Sequence, residues 1–207
     1  MRKFLFIATL VVISFHAHAS VKKVLGTIIS KGQSKDVMFE IKVAFLMLGE
    51  PNFERLQYKI KYFDENGKKH NLRPDDADEI RFRYEGENIR MISCPNAPGM
   101  ENLFSASTRI FLKLEIEGPL RLYRFYRKQT TAPGYPGGYS VTSVTENLIF
   151  QKGNGPLKQP RALGWKKDMI EYFNDCPALG ERIQSKDLGK KEIEAIVIYY
   201  NQKCGTK

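Results

Sequence analysis

Between Val21 and Phe150 apolar residues recur at every second position, and a period of two commits that stretch to half-buried strands. In DVMFEIKVAFLM, Val37, Phe39, Ile41, Val43, Phe45 and Met47 share one face while Glu40 and Lys42 take the other. QYKIKYF alternates Tyr58, Ile60 and Tyr62 with Lys59 and Lys61, and Asn66-Gly67 follows. Asn-Gly favours a tight hairpin because both positions tolerate positive φ. EIRFRYEGENIRMIS repeats the scheme with Ile80, Phe82 and Tyr84 against Arg81 and Arg83, turning at Glu85–Asn88. RIFLKLEIEGPL sets Ile110, Leu112, Leu114 and Ile116 on one side and turns at Gly118-Pro119. Val144, Leu148 and Phe150 close the series. The pattern predicts about eight strands with short turns, in antiparallel sheets packed as a sandwich or partly closed barrel.

After Gly153-Asn154-Gly155-Pro156 the period changes. Trp165, Met169, Tyr172, Phe173 and Cys176 fall at steps of three and four, as do Ile193, Ile196, Val197, Tyr200 and Cys204. These are amphipathic helices, and Pro177 suits the first position of a short helix between them, where a missing N–H is harmless. The expected fold is therefore α+β: a β-rich domain over residues 20–156 and a three-helix segment over 157–207 packed on it. Gln129–Tyr139 (QTTAPGYPGGY) reads as a long loop between two strands.

The first residues carry an address. Arg2 and Lys3 precede an uncharged apolar run from Phe4 to Phe15, and Ala17-His18-Ala19 offers a small-x-small cleavage site. That is the form of a secretory signal peptide, expected over 1–19 with cleavage after Ala19. No cysteine follows the cut to take a lipid, and no later stretch has the length of a membrane helix. The chain carries 33 Lys and Arg against 23 Asp and Glu. Outside the cytoplasm that excess points to an anionic glycan, a lipid surface or another envelope protein and not to nucleic acid. Because the cations are spread along the chain, solubility alone is the simpler account.

Reactive constellations are scarce. His16 and His18 leave with the leader, so a Ser-His-Asp or Cys-His arrangement would have to use His70, which follows a hairpin turn. Zinc-ligand spacings, phosphate-cradling glycine loops and dinucleotide fingerprints are missing, so neither metal nor cofactor is expected. Asp75, Asp76, Asp78 and Glu79 lack the spacing of a calcium loop and read as a solvated turn. Paired carboxylates for hydrolysis are spatial and leave no signature in sequence.

Two surface candidates stand out. RLYRFYRK interleaves Arg121, Arg124, Arg127 and Lys128 with Tyr123, Phe125 and Tyr126, a pattern suited to stacking and ion pairing with a ligand or partner. The simpler reading is a strand with one face in the core and arginine stems covering the rest. Tyr135 and Tyr139 on the adjoining loop are candidate contacts, or mark a tolerated insertion. Cys176 suits a small buried thiol at a helix–turn junction, the preferred role. Alternatively it pairs with Cys204, since both end an apolar helical face, leaving Cys94 free. A nucleophilic role ranks last, with no cation or histidine beside it in sequence.

The stretch Gly164–Cys204, with Tyr172, Phe173, Asp175, Cys176, Pro177 and Leu179 in a Y-F-x-D-C-P-x-L turn, resembles the C-terminal segment of a family of uncharacterised exported proteins of Bacteroidetes. The upstream Lys61–Arg90 resembles the strand-rich part of that family. The resemblance implies an envelope location and a β-rich body with a helical end; it implies no activity and no site residues. On sequence the favoured role is a non-catalytic interaction module, with a small-ligand or glycan binder second and a carboxylate-based hydrolase third.

Overall fold

The computed structural model describes residues 21–43, 49–95, 108–132 and 138–205. The expected leader, Phe45, Met47 and Tyr135 lie outside the described residues. Strand β1 (Val21–Ser30) turns through Lys31 and Gly32, both at positive φ (49° and 76°), into β2 (Gln33–Lys42). A two-residue turn of this kind matches the right-handed twist of its flanking strands. The four-residue helix α1 (Phe53–Leu56) leads to β3 (Ile60–Phe63) and β4 (Lys69–Leu72). Asp64 Oδ1 accepts from Asn66 and Lys68 N–H across the expected Asn-Gly turn. Then come β5 (Glu79–Tyr84), β6 (Glu87–Pro95), β7 (Arg109–Ile116), β8 (Leu120–Thr131) and β9 (Val141–Lys152).

The nine strands of the described residues belong to one open antiparallel sheet, ordered β4-β3-β2-β1-β5-β6-β7-β8-β9. The expected α+β, β-rich architecture is present, and the strands neither divide into two sheets nor close. Strand β1 explains this: it pairs with β2 on one edge and β5 on the other, fusing two meanders. The contact with β5 needs Gly26, where an added Cβ would lie 2.3 Å from the Arg81 carbonyl oxygen. The sheet curls around α1, because Phe53 stacks on Tyr126 of β8 (5.0 Å) in the same core as Phe39, Ile41, Ile80 and Met91.

Strands β7 and β8 are paired over only a short length. Their register runs from Lys113↔Arg124 to Leu114↔Tyr123 and then slips by one residue at Glu115, so that Ile116 faces Leu122. This bulge turns Ile116 away from the face it shares in sequence with Leu112 and Leu114 and onto the opposite one. At each end of the short pairing an amide side chain takes over from β7. The fully buried Gln57 accepts from Tyr126 N–H through Oε1 (2.6 Å) and donates to the Tyr126 carbonyl through Nε2 (2.8 Å). Its own carbonyl accepts from Phe111 N–H (3.0 Å), so Gln57 sits as a wedge between the diverging strands. Asn201 does the same for Leu120, accepting from its N–H (2.8 Å) and donating to its carbonyl (2.9 Å).

Asn201 belongs to the helical layer: α2 (Trp165–Tyr172), α3 (Pro177–Gln184, with Pro177 at its start) and α4 (Ile193–Lys203). Met169, Phe173, Leu179, Ile183, Ile196 and Val197 pack on Leu120, Leu122 and Phe150. The turn Tyr172–Leu179 is a structural joint. Lys152 of β9 donates to the Tyr172 carbonyl (2.6 Å) and Asp175 (2.5 Å), beneath the rings of Tyr172, Phe173 and Tyr200 at 4.7–5.2 Å. Burial disfavours charge on Asp175, yet hydrogen bonds from Lys152 and Tyr200 hold its carboxyl below the usual range. Cys176 is buried and disulfide-bonded to Cys204, with Cα atoms 5.8 Å apart. Packing and pairing thus coincide at a residue for which the sequence had left them as alternatives.

Replacing Gln57 by Met keeps the side-chain length but strands the Tyr126 N–H and C=O in the core. We expect a loss of about 2–5 kcal/mol in denaturant unfolding, against near-neutral behaviour for Gln129→Met on the exposed part of β8.

Candidate functional site

Strand alternation decides what each residue of RLYRFYRK can do. Leu120, Leu122, Arg124 and Tyr126 lie on the face covered by α1 and the helical layer; Arg121, Tyr123, Phe125 and Arg127 lie on the other. Arg124 is neutralised by Glu115 (2.7 Å) and Glu146, and Tyr126 is core. On the opposite face Phe125 is buried with Ile110, Leu112 and Ile149, and Arg127 lies over its ring at 6.0 Å. Tyr139 is 93% exposed and faces solvent beyond the strands. The sequence candidates therefore do not form one surface. Arg121 and Tyr123 alone converge on a cleft.

That cleft, of about 450 Å³, is walled by Ser93–Pro95 of β6, Arg109 of β7, Arg121 and Tyr123 of β8, Gln151 of β9 and the loop Asn154–Leu157. Arg109 is anchored: Nε donates to Ser93 Oγ (2.7 Å) and Nη2 to the Ser93 carbonyl (2.7 Å), while Ser93 Oγ donates to the Pro74 carbonyl (2.6 Å). Tyr123 donates to Gln151 Oε1 (2.9 Å), and Gln151 Nε2 donates to the Gly155 carbonyl (3.0 Å). Arg121 reaches Gln151 Oε1 only at 3.5 Å and forms no ion pair among the described residues. Arg81, Arg90 and Arg124 by contrast each hold a carboxylate. The described walls of the cleft contain no Asp or Glu.

Cys94 lies in one wall, its thiol buried. Burial pushes the thiol up to about 11, although the Tyr123 hydroxyl and the charges of Arg109 and Arg121 pull the other way. Burial likewise lifts the Tyr123 phenol to about 12, helped by the neighbouring Cys94. Both groups keep their protons at neutral pH, so neither is a poised nucleophile or base. What the cleft offers is the Arg121 cation beside the anchored Arg109, an amide, a phenol and an apolar rim from Ile92, Pro156 and Leu157.

The other candidates lie elsewhere. His70 is half-buried on β4, stacked on Tyr62 and bonded to Asp64 (2.7 Å). Asp76 and Asp78 accept backbone N–H groups, and Glu79 is held between Arg81 and Arg90. Among the described residues no group of three or more His, Cys, Asp or Glu converges as a metal site, and no helix is long and apolar enough to cross a membrane. Sequence reasoning missed Arg109, Ser93, Cys94 and Gln151 as parts of a site. One signal was available for Gln151: it shares strand parity with the buried Ile149, and an amide facing inward needs polar company. Comparison with protein-family models, curated proteins and solved structures finds no match to this chain.

Two measurements on the cysteines follow. Unfolded without reductant, the chain should expose one alkylatable thiol, Cys94, and reduction should add the Cys176–Cys204 pair. In the native state Cys94 should resist iodoacetamide at pH 7. Its native proton is held to about pH 11, whereas the unfolded chain releases it near pH 9.0, so this group's stabilising contribution is complete below pH 9.0 and is lost as pH rises to about 11. Replacing Cys94 by Ala should flatten that part of the stability profile.

Proposed function

We propose that this protein binds, without transforming it, a small ligand bearing an anionic group, in the cleft between Arg109 and Arg121. The observation that carries the reading is Arg121: a half-buried guanidinium without an ion pair among the described residues, in a cleft whose described walls hold no carboxylate. A carboxylate, phosphate or sulfate oxygen pair matches a guanidinium fork and would replace the weak contact to Gln151. Arg109, held by Ser93, forms part of the same wall and is in place before ligand arrives, which lowers the entropic cost of binding. Tyr123 and Gln151 supply neutral hydrogen bonds, and Ile92, Pro156 and Leu157 can cover an apolar remainder.

The leader-like segment and the net positive charge support an exported, cell-envelope setting for this binder. A second reading, an interaction module, is favoured by a different observation. The hairpin formed by the end of β8 and the start of β9 extends past the packed layers and leaves Tyr139, Val141 and Val144 exposed.

Titration with inorganic phosphate, sulfate, acetate and benzoate, followed by calorimetry and by the Arg121 Nε–H signal in NMR, tests the cleft. At least one probe should bind, and Arg121→Ala should weaken it about tenfold or more. Arg83→Ala, on an exposed position of β5, should leave affinity unchanged. No shift of the Arg121 signal with any probe overturns the reading.

A further inference from the structure

The cations are dispersed in sequence, but folding collects five of them around one groove that shares no residue with the cleft. Lys42 comes from the end of β2, Arg55 from α1, Lys59 and Lys61 from the approach to β3 and from that strand, and Lys128 from β8. The groove has a volume of about 400 Å³ and carries Leu56 and Tyr58 in its wall. Two carboxylates are present, and they do not neutralise it. Glu40 is committed to Lys69 and, at 3.9 Å, to Lys61; Glu54 forms no ion pair among the described residues. Lys42, Arg55, Lys59 and Lys128 likewise form none. Like charges gathered in a concavity repel one another and focus the field outward, a cost that solubility does not require and an anionic partner would relieve.

We propose that this groove is a docking surface for a linear anionic polysaccharide. Three features select that partner. The cations line a concave channel from several elements, which a flat lipid surface cannot enter as a chain can. Four of the five are lysine ammoniums, point charges that suit several separate acidic groups on a chain better than one multiply bonded anion. The half-buried ring of Tyr58 stands among them, and an aromatic face beside cations is suited to stacking on a sugar ring while its acidic groups meet lysine. The helix α1 fixes the geometry: Asn52 caps it through Arg55 N–H (3.2 Å), and Gln57 locks its end into the sheet. The backbone of that part of the wall is therefore tied to the sheet before any ligand arrives.

The test uses the purified protein and immobilised polygalacturonate, with neutral dextran, poly-glutamate and phosphatidylglycerol vesicles as comparison probes. Polygalacturonate should bind, and affinity should fall about tenfold or more between about 20 and about 200 mM salt. Lys42→Ala/Lys59→Ala/Lys128→Ala should reduce binding about tenfold or more, whereas Lys31→Ala/Lys190→Ala/Lys191→Ala, with the same change in net charge, should not. All six lysines lie on or near the surface, and coincident thermal unfolding of both variants checks that neither effect is misfolding. Equal loss in the two triple variants overturns the proposal, since net charge alone would then account for binding. Capture of poly-glutamate or vesicles without polygalacturonate also overturns it. Because Arg121 is untouched in both, the small-anion cleft can be scored separately in the same samples.

Discussion

The molecule turns on the unpaired edge of one strand. Beyond the pairs at Leu122–Arg124, the edge of β8 that faces β7 would bury two residues' worth of backbone N–H and C=O with no strand beside them. Orphaned backbone groups of that kind are costly in a core. Gln57 and Asn201 answer the need with the one side-chain chemistry that copies a peptide group, an amide that donates and accepts in the same plane. Because the amides arrive from outside the sheet, β7 and β8 can diverge at both ends without leaving polar groups unmet. The divergence lets one strand serve two cores, one around α1 and one under the helices.

The same divergence shapes the cleft. Arg121 and Tyr123 sit near the start of β8, while Ser93, Cys94 and Arg109 sit where β6 and β7 run the other way. The loop Asn154–Leu157 closes the far side and is tied back by Gln151. Arg121 meets no acid among the described residues, in contrast to the arginine–glutamate ladder of Arg81, Arg90, Glu79 and Glu117 on the sheet. Burial of Glu79 works against its charge, and the two arginines still hold its carboxyl below the usual range. The protein therefore pairs some of its strand arginines with acids, whereas Arg121 has none among the described residues.

Local periodicity made most of the scaffold legible. Ile80, Phe82 and Tyr84 point inward as their alternation requires, and Pro177 opens α3 where its missing N–H is harmless. Periodicity failed where one residue breaks it. The bulge at Glu115 sends Ile116 to the other face, and no composition cue marks it. Helix α1 is too short to show a period, and its cap, Asn52, emerges only in the structure. The cleft and the groove were illegible for a deeper reason. Their members are isolated polar residues from separate strands, and only the register of the sheet brings Arg109 to Arg121 or Lys42 to Lys128. The Tyr172–Leu179 turn stood out in sequence as a signature, and its conspicuous residues are those that clasp Lys152 and form the disulfide.

The two amide clamps also set an order of events. Gln57 meets Tyr126 across 69 positions and Asn201 meets Leu120 across 81, among the most distant hydrogen-bonded pairs in the described chain. Closing such loops is entropically expensive before packing compensates. Strand β8 lies mid-chain yet cannot be completed until a segment near the C-terminus has arrived. A chain emerging in sequence order would thus leave the outward N–H and C=O of Leu120 waiting until α4 docks, making that helix the latch that closes the start of the strand.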